Sequence, residues 1–160
     1  MAPRSDARTS TPAWICDNDP LHVTRRVSTL HVGFDPRCDY VETYWLPVLG
    51  PSCILVARRL ADWLDGADVA LQVPLELLAR TVGLGTGTGR SAPVVRTLSR
   101  LVDFGIAAIE HETYALRIPF PPLSFRQVAR LPDYLATRHA IDVVRHASGA
   151  VGGPVEGSSR

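Results

Sequence analysis

The chain has 160 residues, of which 46% are hydrophobic and 21% charged, and its formal net charge is +1. This is an ordinary globular composition, long enough for one domain with its own core. It excludes a strongly basic coat, so any affinity for nucleic acid has to come from a local patch.

In chain order, residues 1–34 read as a flexible N-terminal arm. Ser, Thr, Pro, Asp and Arg dominate its first twelve positions, a composition too polar to bury much surface. Within it, LHVTRRVSTLHVGF over 21–34 has partial alternation, suited to an irregular strand or to an arm packed on the domain. Asp35-Pro36 is a turn signal. A helix is expected over 38–46, with Tyr40, Val41, Tyr44, Trp45 and Leu46 on its apolar side, broken by Pro47 and Gly50-Pro51. The next helix runs from Pro51 or Ser52 to about Asp65, with Ser52 as the candidate cap. Its buried stripe is Ile54, Leu55, Ala57, Leu60, Ala61 and Leu64, with Arg58, Arg59 and Asp62 outside it and Gly66 at its end. Residues 69–73 alternate and suit a short strand. Pro74 opens a helix that turns Leu75, Leu78, Ala79 and Val82 inward. The loop GLGTGTGR follows, with glycine at 83, 85, 87 and 89.

The segment SAPVVRTLSRLVDFG, 91–105, reads as an amphipathic helix of about four turns at about 3.6 residues per turn. Ser91 suits an N-cap, Pro93 the first turn and Gly105 the stop. Val94, Val95, Leu98, Leu101 and Val102 gather on one side. Pro93, Arg96, Arg100 and Asp103 gather on the other, with Arg90 just ahead. After it, Ile106 and Ala108, then Tyr114, Leu116 and Ile118, alternate on two runs. His111, Glu112 and Thr113 lie between them as the turn of a hairpin. Residues 121–147 form a C-terminal helical extension interrupted near Leu131-Pro132. Its ragged apolar pattern is Val128, Leu131, Tyr134, Leu135, His139, Ile141 and Val144. Residues 148–160 read as a disordered tail.

Helix, short strand, helix, glycine turn, helix and hairpin, in that order, is the order of a winged helix-turn-helix. The expected fold is mainly α with a small β-hairpin: a winged helix-turn-helix domain over 35–120 with extra N- and C-terminal helices. The runs YWLPVLGPS, LELLARTVGLGTGTGR and SAPVVRTLSRLVDFG, followed by PPL and ARLP, resemble a group of small actinobacterial winged-helix proteins of unknown function. The likeness covers about residues 34–140, and it implies a winged-helix fold and DNA binding.

The second helix of such a motif docks in the major groove, and arginine matches the two acceptors of guanine. Arg96 and Arg100, one turn apart, are therefore the expected base readers, with Thr97 beside them. Arg90 and Ser91 stand at the helix N-terminus, where backbone N–H groups hold phosphate. His111 at the wing tip is a further contact, although Glu110 and Glu112 make that tip acidic. The expected function is a transcriptional regulator, not an enzyme, that binds double-stranded DNA without a cofactor. The alternative is a protein–protein interaction module on the same scaffold. Its surfaces would be the aromatic helix over 38–46 and the helix over 124–146, which are also the candidates for a homodimer.

Other chemistry finds little footing. The glycine loop lacks a GK[ST] pair and follows a helix, so it fits neither a nucleotide P-loop nor a dinucleotide fingerprint. Cys16, His22, His31 and Cys38 match no zinc spacing. Three cysteines with no CxxC pair do not make a secreted disulfide framework. No leader-like core segment and no run of about 20 apolar residues is present. The expectation is a cytoplasmic protein, with no membrane partner and reduced thiols.

Overall fold

A strand drawn from the N-terminal region lies in the middle of the sheet. The computed structural model describes residues 10–26, 29 and 33–149. Helix α1 (Thr11–Asp17) starts with a proline in its first turn and buries Ala13 and Ile15. Strand β1 (Leu21–Arg26) follows, with Leu21 and Val23 turned inward. A π-helical turn over Val41–Trp45 runs into α2 (Leu46–Leu49). Then come α3 (Pro51–Asp65), β2 (Leu71–Val73), α4 (Leu75–Thr81), α5 (Pro93–Asp103), β3 (Ala107–Glu110), β4 (Thr113–Arg117), α6 (Phe125–Val128) and α7 (Asp133–Gly149). The architecture is mixed α/β.

The sheet order is β2-β1-β4-β3. Strand β1 runs antiparallel to β2, pairing Leu21 with Val73, and parallel to β4, pairing Val23 with Tyr114. The hairpin β3–β4 is antiparallel, with Ala107 opposite Leu116. The expected hairpin is thus half of a four-stranded sheet. The flexible arm assigned to 1–34 does not describe residues 10–26, which form a helix and a central strand. Both partners of β1 lie far away along the chain, so its short alternation carries little signal locally. Residues 1–9, and 150–160 of the tail placed at 148–160, lie outside the described residues. Residues 148 and 149 close α7.

Local chemistry accounts for the other departures. Pro47 does not break its helix. It has no N–H, and its ring crowds the carbonyl four residues back, so the chain widens into the π turn before it and continues to Leu49. Ser52 does not cap α3, which starts one residue earlier from Gly50 at φ +87°, a conformation that suits glycine. The buried stripe of α3 takes in Cys53 and Val56 and leaves Leu55 exposed.

The core joins α3, α4 and α5 to the sheet. Trp45, Leu60, Leu75, Leu78, Leu98 and Tyr114 are all fully or almost fully buried. The tyrosine hydroxyl of Tyr114 donates to the Leu98 carbonyl at 2.8 Å, which satisfies it deep in the core. An exposed clamp ties β1 and the 35–37 turn to the end of α3. Arg37 grips Asp35 at 2.7 Å, Asp62 at 2.9 Å and Asp65 at 2.6 Å, while Arg25 takes the other oxygen of Asp65. These guanidinium groups hold the Asp35 and Asp65 carboxyls below their ordinary range.

Candidate nucleic-acid interface

The exposed arc of α5 is narrow. Val94, Val95, Leu98 and Leu101 are buried as the periodicity requires, and Thr97 and Ser99 are buried as well. Within the helix only Pro93, Arg96, Arg100 and Asp103 are exposed, an arc of about 80° at about 100° per residue. The rest is covered by α1, α3, α4 and β3.

Ser91 is in the turn ahead of α5, but Ala92 is the N-cap and no side chain caps the helix. The turn closes with the Ala92 N–H donating to the Gly89 carbonyl at 2.8 Å. Arg90 and Ser91 are both exposed there. Arg96 projects from the first turn of the helix. Neither Arg90 nor Arg96 forms an ion pair with a described residue. By contrast, Arg25, Arg26, Arg37, Arg58, Arg80 and Arg138 each have a carboxylate partner.

Two of the expected contacts are committed elsewhere. Thr97 is only 7% exposed. Its hydroxyl donates to its own helix at the Pro93 carbonyl, 2.8 Å away, and its carbonyl accepts from the Cys53 thiol of α3. Burial pushes that thiol up to about 11. Thr97 is therefore a packing residue under the start of α3. Arg100 reaches across to the end of α2. Its Nε donates to the Leu49 carbonyl and its Nη2 to the Val48 carbonyl, both at 2.9 Å. Those carbonyls are the open acceptors that every helix leaves at its C-terminus. The guanidinium also lies over the Phe104 ring, 4.8 Å from its centre. Arg100 supplies donors to two of these carbonyls at the end of the continuous helical run. Arg96 and Arg100 border a recess of about 540 Å³ between α1, α3 and α5.

The tip of the β3–β4 hairpin is tighter than the spacing shows. His111 and Glu112 form a two-residue turn with φ of +48° and +62°. His111 is exposed at its apex. Glu110 is not a free charge, because Arg26 of β1 pairs with it at 2.9 Å. Glu112 remains as the acid of the tip.

The aromatic group lies elsewhere and is core. Tyr40, Tyr44 and Trp45 are buried, so the aromatic side of the segment over 38–46 faces the core. Tyr40 stacks on Phe34 with ring centres 3.5 Å apart. Its hydroxyl accepts the Leu123 N–H at 3.0 Å and meets Nε2 of buried His139 at 2.7 Å. Tyr44 donates to Asp142 at 2.5 Å. Burial lifts the Tyr40 hydroxyl to about 12 and lowers His139 below its ordinary value. The Tyr44 hydrogen bond pulls Asp142 down. Together these contacts seat α7 on the π turn beside an open cavity of about 610 Å³. Sequence reasoning missed this seat, because each pair is separated by nearly a hundred residues.

Cys16, Cys38 and Cys53 are all free thiols. Among the described residues, no helix is long and apolar enough to cross a membrane, and no group of three or more potential ligands is placed to hold a metal ion. Comparison with family models, with curated proteins and with solved structures yields no match to this chain.

Proposed function

We propose that this chain is a winged-helix DNA-binding protein, of the actinobacterial kind its sequence resembles, acting as a transcriptional regulator. Support comes from the element order α3, β2, α4, α5, β3, β4, which is that of a winged helix-turn-helix. Strand β1 is interposed between β2 and β4, yet it leaves those two antiparallel, since it opposes one and parallels the other.

The observation that carries the reading is the pair of exposed arginines without carboxylate partners, Arg90 and Arg96, at the leading end of α5. With the exposed Ser91 hydroxyl beside them, they make a compact donor set for phosphate and base edges. In this reading Arg100 and Thr97 hold the helix in place and do not touch DNA. His111 stands at the backbone-facing tip of the wing. The interaction-module alternative would have to use other side chains of the 38–46 segment, since Tyr40, Tyr44 and Trp45 are buried.

The test is fluorescence anisotropy with random-sequence duplex at low salt. Arg90→Ala/Arg96→Ala should weaken binding at least tenfold. It should also flatten the dependence of log K on log salt by about one for every phosphate that the variant no longer neutralises. Equal binding by wild type and the double variant, or no binding by wild type at low salt, overturns the assignment.

A further inference from the structure

Helix α7 is apolar on two opposite sides. One side holds it to the body through Leu135 and His139, which are 7% and 8% exposed, with Asp142 reaching Tyr44. At about 100° per residue, Tyr134, Thr137, Ile141 and Val144 fall within an arc of about 80° diametrically across the helix. Tyr134, Ile141 and Val144 are 72%, 52% and 64% exposed. With Thr137 between the first two, the spacing is three, four, three, that of a coiled-coil seam. A solvent-facing helix side is ordinarily polar, and an apolar stripe there marks a surface that another helix covers.

The charges beside the stripe select the partner. One edge carries Asp133 and the small Ala140, and the other carries Arg138 and Arg145. Two copies packed antiparallel bring like edges together, arginine facing arginine. Two copies packed parallel bring unlike edges together, so Asp133 of each meets Arg138 of the other. Arg138 can make that contact. Its side chain is 65% exposed and only its Nε is engaged, with Asp142 at 3.1 Å. Ala140 leaves room for close approach.

We propose that α7 joins two copies of this chain as a parallel, two-fold helical pair through Tyr134, Ile141 and Val144, closed by reciprocal Asp133–Arg138 pairs. The proposal does not depend on DNA binding.

Sedimentation equilibrium of the full chain tests it over about 1 to 300 µM, since so short a seam implies a dissociation constant in the micromolar range. The mass should rise from that of one chain to that of two. Ile141→Glu/Val144→Glu should stay monomeric throughout, with the helical circular dichroism of wild type, because both side chains are exposed. Asp133→Arg should weaken pairing about tenfold, and Asp133→Arg/Arg138→Asp should restore it. A wild type that is monomeric at every concentration overturns the proposal and leaves the stripe to a different protein. Dimers that survive Ile141→Glu/Val144→Glu overturn it by placing the contact elsewhere. Failure of the charge swap to restore pairing overturns the parallel arrangement.

Discussion

Removing the Arg100 side chain separates its structural role from that of Arg96, one turn away. Arg100→Ala deletes the part-buried bond from Nε to Leu49, the exposed bond from Nη2 to Val48, and the contact over Phe104. The part-buried, charge-assisted bond contributes about 1.5 kcal/mol. The exposed one contributes about 0.5 kcal/mol, since water replaces the donor. The cation–ring contact adds about 0.5 kcal/mol. The sum is about 2.5 kcal/mol. For a chain of this length, at about 3 °C per kcal/mol, that lowers the melting temperature by about 7 °C. Arg96→Ala removes no bond to a described residue and should stay within about 0.5 kcal/mol of wild type. Differential scanning calorimetry of the two variants side by side reads both values. Arg100→Lys should recover less than half of the loss, because an ammonium cannot span two carbonyls as the planar fork does. An unchanged melting temperature for Arg100→Ala, or a larger fall for Arg96→Ala, would refute the division of labour between them.

The β3–β4 turn holds two non-glycine residues at positive φ, so His111→Asn/Glu112→Gly should raise stability by about 1 kcal/mol in urea melts, Asn-Gly being the preferred pair for such a turn. A β-carbon at Gly33 would lie 2.2 Å from Cγ of Pro119, and Phe34 bonds through its backbone to Phe120 just beyond. Gly33→Ala should therefore cost about 1–3 kcal/mol of unfolding free energy. His139 titrates below its ordinary value in the folded chain, so the unfolded chain binds the proton more readily. Its contribution is complete well above pH 6.5 and declines as the pH falls below that. The physical cause is burial, which disfavours the charged imidazolium more than the neighbouring Asp142 carboxylate favours it. Nε2 of the imidazole meets the Tyr40 hydroxyl, which also accepts the Leu123 N–H. Urea melts between pH 5 and 8 should show that slope in wild type and lose it in His139→Asn; the same slope in both would point to another group.

The amphipathic elements were legible because their periodicity is local. Val94, Val95, Leu98 and Leu101 of α5 are buried as the wheel places them, and Gly105 ends the helix at φ +72°. The hairpin was legible for the same reason, its two alternating runs being separated only by His111 and Glu112. The candidate site was legible in part. Arg90, Ser91, Arg96 and His111 are exposed where the pattern puts them. Thr97 and Arg100 depart from it, because what covers or engages them comes from Cys53, Val48 and Leu49, more than forty residues earlier.

What the amino-acid order determined by itself is the amphipathic helices α3, α4 and α5 and the β3–β4 hairpin, since hydrophobic period, proline and glycine act within a few residues. What only the tertiary structure decided is where distant pieces meet. The strand at Leu21–Arg26 sits between β2 and β4 because two remote edges each had backbone groups to satisfy. One arginine on α5 closes a neighbouring helix while the next stays exposed. The last helix keeps an apolar side toward solvent because its other side is already seated on Tyr40 and Tyr44. Each outcome depends on partners brought together in space, and no local period encodes them.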